Sequence, residues 1–306
     1  MKNKMIFLSV FICLSLCLNS GKLFASNKIK IVTTTSTFAS IVKDIAGDKV
    51  EVYSIASSNR DIHFISPTPK DVLKVKKADI FIHGGLDLEA WRIPLLDAVG
   101  RTDLMAPVGE KQIDVSKGIS LLEVPTSLSR AQGDQHAFGN PHYWIDPKNG
   151  KIIAGNIAEG LARIYPGDAD FFRKNAEAFE KKVDEKMKNW ESQVAPYKGS
   201  PVVIYHNTWP YFMERFGFVI VGYLEPKPGI PPTAKHLQEL AKIMKEKNVK
   251  VIVKEIFQEN RAPKKLAGET GAVIAILDTE VGQVKGDYFS LIDYNIQKLV
   301  EAFGSK

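Results

Sequence analysis

Apolar positions fall along the chain in two patterns that alternate. Short runs rich in Ile, Val and Phe are typical of strands buried on both faces. Longer stretches whose apolar residues recur every three or four positions are typical of helices that pack one face on a core. Strands are predicted at residues 30–33, 49–55, 78–83, 201–205, 218–224, 250–255 and 272–277. Helices are predicted at residues 38–46, 70–77, 86–99, 210–216, 234–247 and 289–303.

Strand and helix alternate in both halves of the chain, which predicts parallel sheets covered by helices. A short segment also recurs, since PTPK at residues 67–70 and PTAK at residues 232–235 each precede a predicted helix and then a strand. The expected fold is therefore α/β, with two similar lobes of one architecture.

The stretch between the halves, residues 168–197, predicts one long helix. Its apolar residues share a single helical face, and they are Phe172, Phe179, Val183, Met187, Trp190 and Val194. A helix of about 28 residues would be roughly 40 Å long, so we expect a rigid rod that joins the lobes and limits their motion. Residues 109–139 predict a long loop, which in a compact domain is typically functional or mobile.

The first residues of the chain predict a secretory signal. Lys2 and Lys4 precede an apolar run at residues 5–18, and a small residue, Ala25, suits cleavage. The run is shorter than the about 20 residues of a membrane-spanning helix. We therefore expect a periplasmic protein, and a lipid anchor at Cys17 is less favoured because a bulky leucine precedes that cysteine. The expected parts are a signal peptide at 1–26, an N-terminal lobe at 27–166, a connecting helix at 167–198 and a C-terminal lobe at 199–306.

Charge and cysteine usage narrow the chemistry of the mature chain. The formal net charge of +6 includes three lysines within residues 1–26 and no acidic residue there, which leaves +3 after cleavage. Such a weakly basic chain gives no support for nucleic-acid binding. Both cysteines, Cys13 and Cys17, lie in the signal. The chemistry of the mature protein therefore rests on His, Asp, Glu and hydroxyl groups.

Several histidines stand where an α/β fold places its ligands. His63 follows the second predicted strand, His206 ends the 201–205 strand, and His142 directly precedes a predicted helix start at Asp146–Pro147. Asp278 follows the last predicted strand. In open α/β sheets the ligand crevice lies at the carboxyl ends of the strands. Imidazole is a common ligand of zinc and other transition metals, so these residues are candidate metal ligands.

Five short motifs, taken together, carry a resemblance over residues 29–303. They are DIHFISPTP at 61–69, LDLEAW at 86–91, NPHYWIDP at 140–147, YHNTWPYF at 205–212 and LDT at 277–279. In their order and spacing the chain resembles the metal-binding proteins of zinc and manganese ABC importers, the TroA-like or ZnuA-like solute-binding family. It departs from the family's usual pattern at Ile62, where proline is common, and at Asn140 and Asn207, where acidic residues are common.

The resemblance implies a metal site in the cleft between the lobes. By this resemblance the ligands are His63, His142, His206 and Asp278. It implies Zn²⁺, with Mn²⁺ as the alternative, bound as a transported solute, and no catalytic role. It further implies a partner, the membrane permease of a metal ABC transporter, and we expect a monomer.

Other residues and functions stay open at this point. Glu255 is expected to orient a histidine through its second ring nitrogen and is a weaker candidate for a direct ligand. His136 is an auxiliary candidate, while His83 and His236 are expected to be structural. Two alternative functions are a secreted zinc-dependent hydrolase, with Glu255 as general base at an open coordination position, and a surface adhesin.

Overall fold

Two four-stranded parallel sheets form the frame of the molecule. The computed structural model describes residues 28–56, 59–105, 109–127, 136–227, 229–282 and 286–305, so the expected signal and Cys17 lie outside the described residues. The strands of the N-terminal sheet are β1 (Ile29–Thr33), β2 (Val50–Ser54), β3 (Ile80–His83) and β4 (Gln112–Asp114). Those of the C-terminal sheet are β5 (Pro201–Ile204), β6 (Val219–Tyr223), β7 (Val251–Glu255) and β8 (Val273–Leu277). The sheet orders, β2-β1-β3-β4 and β6-β5-β7-β8, are equivalent, which confirms the two similar α/β lobes.

Helices cover both sheets. They are α1 (Ser36–Ala46), α2 (Pro69–Lys76), α3 (Arg92–Val99), α4 (Pro147–Ile164), α5 (Ala169–Val194), α6 (Pro210–Phe216), α7 (Ala234–Glu246), α8 (Arg261–Thr270) and α9 (Tyr288–Gly304). The recurring Pro-Thr segments have the same task in each lobe, because Thr68 caps α2 and Thr233 caps α7 through a side-chain oxygen that accepts a backbone N–H. Within the described part of the chain, no helix is both long and apolar enough to cross a membrane.

Helix α5 is the predicted long helix, and it packs along both lobes. Its buried face carries the six apolar residues predicted from the sequence, together with Ala176. It contacts α1 and α4 of the N-terminal lobe and α9 of the C-terminal lobe. The Trp190 indole donates to the Asp293 carboxylate of α9 at 2.7 Å, and Lys186 pairs with the same carboxylate at 2.6 Å. The rod is thus fastened to each lobe along its length.

The helix predicted at 86–99 begins only at Arg92. Leu86 and Asp87 have positive φ angles of 52° and 59°, a left-handed conformation that no helix accepts. The turn is held by the buried Glu89 carboxylate, which accepts the Gly84 N–H at 2.7 Å and the Thr34 hydroxyl at 2.6 Å. A buried polar anchor therefore overrides the local helical pattern.

The predicted loop at 109–139 contains strand β4, which extends the N-terminal sheet next to β3. Its three residues include one buried apolar side chain, Ile113, and that is too little for a periodic pattern. Helix α8 was also not predicted, because its buried face consists of Ala262, Pro263 and Leu266 alone. Both elements depend on a neighbour that sequence periodicity does not report.

The lobes touch directly beside the cleft. Asp146 caps α4 by accepting the Lys148 N–H at 2.9 Å, with Pro147 at the first helical position as predicted. The same carboxylate accepts both Nε and Nη2 of Arg215, on α6 of the other lobe, at 2.8 Å each. Such a two-pronged pair fixes geometry better than a single contact.

Candidate metal centre

The fold brings three of the predicted ligands together. His63 lies in a turn of 3-10 helix that follows β2, His142 directly precedes another such turn, and His206 lies two residues beyond β5. One ring nitrogen from each of the three lies within 4.8 Å of the others. Residues from both lobes thus converge on one point of the cleft, as an interlobe metal site requires.

The two histidines of the N-terminal lobe direct unprotonated ring nitrogens at each other. The Nε2 atoms of His63 and His142 are 2.9 Å apart. Nδ1 of His63 lies 3.2 Å from the Leu88 carbonyl oxygen, and Nδ1 of His142 lies 2.9 Å from Oδ1 of Asn140. Oxygens of this kind only accept hydrogen bonds, so each Nδ1 carries the proton and each neutral ring presents a lone pair at Nε2. Two facing lone pairs repel unless a cation or a proton lies between them.

The orientation of Asn140 follows from its own partners. Its Nδ2 donates to Oε2 of Glu123 and to the carbonyl of Asn207, both at 2.9 Å. Oδ1 therefore faces His142, where it accepts both the backbone N–H, at 3.0 Å, and Nδ1–H. The position of the His142 ring is thus fixed by a neighbour two residues away.

His206 is held differently, by a carboxylate. Its Nδ1 lies 2.7 Å from Oε2 of Glu225, a residue that follows the end of β6. This contact leaves Nε2 of His206 as the nitrogen available to a metal. A carboxylate behind a metal-bound imidazole orients the ring and makes it a stronger donor.

The pKa values of the three histidines differ accordingly. Burial lowers the pKa of His63 and of His142 well below 6.5, and nearby histidines lower each further. Burial also acts to lower the pKa of His206, but the hydrogen bond that its ring donates to Glu225 and the charges of nearby carboxylates outweigh burial and raise that pKa above 6.5. Because a metal binds only the deprotonated ring, the N-terminal-lobe pair is ready for a cation at neutral pH, and His206 meets the strongest competition from protons.

Asp278 lies outside the three-histidine cluster. It is buried after the end of β8, its Oδ1 accepts the Glu280 N–H at 3.2 Å, and Asn295 bonds its backbone on both sides. The following residue, Thr279, accepts the Trp144 indole N–H from the other lobe at 2.7 Å. The fourth predicted ligand is therefore firmly placed at the lobe interface, beside the cluster rather than within it.

The other candidate residues differ in how close they lie to the three-histidine cluster. The His136 ring centroid lies 4.8 Å from that of His63, so His136 belongs to the surroundings of the site. Glu255 is fully buried, accepts the Trp209 indole N–H at 2.9 Å, and its Oε2 has no hydrogen-bond partner among the described residues. Burial raises the pKa of Glu255 to about 7. His83 and His236 have other partners, the Gln112 side chain and the Tyr223 carbonyl.

Sequence reasoning missed two residues that support the site, Glu225 and Glu123. The position of Glu225 is a signal that could have identified it, because the residue comes directly after a predicted strand, at the sheet edge where His206 also lies. Glu123 gives no such signal, because it lies in the irregular segment after β4.

The sequence matches the family described as "Zinc-uptake complex component A periplasmic", ZnuA, over residues 31–302. The chain belongs to the ZnuA family. Proteins of the ZnuA family resemble it along almost its whole length, so the shared features include both lobes and the connecting helix.

Named relatives of this ZnuA-family chain are substrate-binding proteins for metals. It is 26% identical over 307 residues to the manganese ABC transporter substrate-binding lipoprotein PsaA of Streptococcus mitis, covering 97% of this chain and 96% of that one. It is 29% identical over 292 residues to the iron-binding protein YfeA of Yersinia pestis, covering 91% and 88%. A crystal structure of ZnuA has the same fold, with a TM-score of 0.76, 24% identity and coverage of 90% of this chain and 99% of that one.

These likenesses assign the chain to the metal-binding, substrate-binding components of ABC importers, which work with a membrane permease and an ATPase. The relatives are binding proteins rather than enzymes, in agreement with the expectation from the sequence. Their names cite manganese, iron and zinc, so the metal differs from one relative to another.

Proposed function

We propose that the protein captures a divalent cation, zinc in the first place, in the periplasm and delivers it to the permease of an ABC importer. The proposed ligands are His63, His142, His206 and Asp278. One observation carries this proposal: three imidazoles from two lobes converge, and a hydrogen bond at Nδ1 of each leaves Nε2 directed at a shared point.

The donor set favours zinc over manganese. Zinc prefers nitrogen donors in a tetrahedral arrangement, with nitrogen about 2 Å from the ion, whereas manganese prefers carboxylates and other oxygens. Two nitrogens on one tetrahedral ion lie roughly 3.3 Å apart, which is close to the 2.9 Å between Nε2 of His63 and Nε2 of His142. Manganese stays the alternative, because Asp278 would supply an oxygen and a relative is named for manganese.

A four-ligand site fits binding better than hydrolysis. Three histidines and one aspartate would complete a tetrahedral shell, and a catalytic zinc needs a position open to water. Asp278 is not one of the three residues whose ligand atoms lie within 4.8 Å of one another. A small closing motion of its segment on metal binding would complete the shell and enclose the cation between the lobes.

The proposal is tested by equilibrium dialysis of metal-free protein against equal Zn²⁺ and Mn²⁺, with elemental analysis of the bound fraction. We expect one equivalent of zinc and little manganese. His206→Ala should lose this binding, and His236→Ala, which removes a histidine with another partner, should retain it. Binding that survives in His206→Ala would contradict the proposed site.

A further inference from the structure

A second set of contacts joins the two halves of the metal site without passing through the metal. Oε2 of Glu123 accepts the side-chain N–H groups of Asn140 at 2.9 Å and of Asn207 at 2.6 Å. Asn140 also donates to the Asn207 carbonyl at 2.9 Å. Asn140 belongs to the N-terminal lobe and Asn207 to the C-terminal lobe. We call these three residues the Glu123 bridge.

Each end of the bridge reaches a proposed ligand. Asn140 accepts Nδ1–H and the backbone N–H of His142 through Oδ1, so moving Asn140 moves that ring. Asn207 directly follows His206 in the chain. The distance between His142 and His206 is therefore linked to the hydrogen bonds that Glu123 accepts.

The segment that carries Glu123 is itself fastened to both lobes. The N–H of Leu122 donates to the Tyr211 hydroxyl of α6 at 3.0 Å, and its carbonyl accepts the Asn140 N–H at 2.8 Å. Glu123 has a φ of 54°, a left-handed conformation that is uncommon outside glycine. Such a conformation persists where the surrounding contacts determine it, and here the contacts come from the two sides of the cleft.

A carboxylate suits this position chemically. The side-chain amides of Asn140 and Asn207 both present N–H donors to one oxygen, and a carboxylate oxygen accepts two donors while a charged acceptor forms the stronger bonds. The side chain is exposed to solvent at the rim of the cleft, so water competes for these bonds when the lobes separate. The bridge is thus stable in the closed arrangement and easily exchanged in an open one.

We propose that Glu123 is a positioning residue that couples the two lobes at the metal site and slows release of the bound cation. The bridge has to break before His142 and His206 can move apart. This inference rests on the proposed function, and it adds a residue that controls how long the cation is held.

The test compares Glu123→Ala with Glu177→Ala, which removes an exposed glutamate from α5. Zinc-loaded protein is mixed with excess chelator, and the release rate is followed by stopped flow. Removing a partner that orients a metal ligand typically weakens metal binding by about 10- to 100-fold. We expect release from Glu123→Ala to be at least about tenfold faster, and release from Glu177→Ala to match the wild type.

Two further variants separate position from charge. Glu123→Asp keeps the negative charge but shortens the side chain, so it should release zinc nearly as fast as Glu123→Ala. The double variant Glu123→Gln with Asn207→Asp exchanges the donor and the acceptor of one bridge contact, and it should release zinc more slowly than Glu123→Gln alone. Slow release from Glu123→Asp would show that charge alone acts and would overturn the positioning role.

The failures of the inference and of the proposed function are distinguishable. Wild-type release from Glu123→Ala, in a protein that binds zinc through His206, overturns the inference and leaves the function intact. Wild-type protein that binds neither zinc nor manganese overturns both.

Discussion

The N-terminal and C-terminal lobes hold their histidines by different chemistry. His63 and His142 donate from Nδ1 to neutral oxygens, a backbone carbonyl and an asparagine side chain, whereas His206 donates to the Glu225 carboxylate. The pKa is lowered for the first two and raised for the third. One lobe therefore offers a neutral pair that stays unprotonated, and the other offers a stronger donor that protons occupy first.

This difference assigns separate tasks to the lobes. In the proposed site, the neutral pair can meet an arriving cation without first releasing a proton, so the N-terminal lobe would provide the first contacts. His206 would add a bond strengthened by the charge of Glu225, and acidification would weaken that bond before it affects the other two. Four predictions test this division, and they are given from the largest expected effect to the smallest.

His142→Ala should abolish zinc-induced stabilisation, because it removes one of the neutral pair and leaves His63 alone. A ligand at one hundred times its dissociation constant stabilises the fold by about 2.7 kcal/mol, which corresponds to a rise in melting temperature of roughly 5–10 °C for a chain of this size. Differential scanning calorimetry with and without zinc measures the shift. His236→Ala serves as the control and should keep the full rise. A full rise in His142→Ala would remove this residue from the site.

Asp278→Asn tests the proposed ligand that lies outside the cluster. The asparagine retains an oxygen for the Glu280 N–H but loses the charge that would bind the cation. We expect zinc affinity to fall by roughly tenfold or more, or about 1.4 kcal/mol, yet by less than in His142→Ala. Competition titration against a chelator of known affinity measures it. Unchanged affinity would indicate a site of three histidines alone.

Glu225→Gln should make the pKa of His206 more similar to those of the two histidines in the other lobe. Without the carboxylate the pKa of His206 falls, so the pH at which protons displace zinc should also fall. At pH 8, the end of the range where protons compete least, zinc should bind about tenfold more weakly because the ring is a poorer donor. Titrations between pH 5 and 8 separate the two effects. An unchanged pH dependence would show that Glu225 does not set the proton affinity of His206.

The free energy of unfolding of the metal-free protein should depend on pH in two opposite ways, because one histidine pKa is lowered in the fold and another is raised. In the unfolded chain a histidine binds a proton below about pH 6.5, whereas His142 in the folded protein stays unprotonated there. The free energy of unfolding therefore falls as the pH falls below that value. His206 has a raised pKa in the fold, and its stabilising contribution is complete below pH 6.5 and is lost as the pH rises through that raised value.

Urea denaturation across pH 5–8 distinguishes these contributions. His142→Ala should flatten the loss of stability below pH 6.5, and His206→Ala should remove the loss of stability that occurs as the pH rises above it. Buried Glu280, with a pKa raised to about 7, affects the wild type and both variants alike. Buried Glu255 also has a pKa raised to about 7, but the charge of His206 acts to lower it, so the contribution of Glu255 changes in His206→Ala. The informative quantity is therefore each variant's difference from the wild type. Identical curves for the two variants would contradict the opposite shifts.

Much of this architecture could be predicted from the sequence, because its signals are local. Buried strands read as apolar runs, and the apolar face of α5 repeats with helical period. His63 and His206 follow strands at the sheet edges where ligands collect. Their convergence with His142 was predicted by resemblance, and the geometry agrees with it.

The supporting contacts could not be predicted, because they join residues far apart in the chain. Glu225 lies 19 positions from His206, and Glu123 lies 84 positions from Asn207. No spacing rule links such residues, and only the packing of the two lobes brings them within reach. The turn at Leu86 and Asp87 was not predicted for a related reason. The buried carboxylate that holds it accepts a hydrogen bond from the end of a strand, outside the local helical pattern.

Helix α5 has a consequence for recognition by the importer. Because the helix packs against both lobes and its Trp190 and Lys186 are tied to Asp293, the lobes cannot swing widely apart. The loaded and empty forms should then share nearly one outline, with little change in small-angle X-ray scattering. A permease that docks this protein must distinguish the metal-loaded form from the metal-free form by small shifts at the mouth of the cleft.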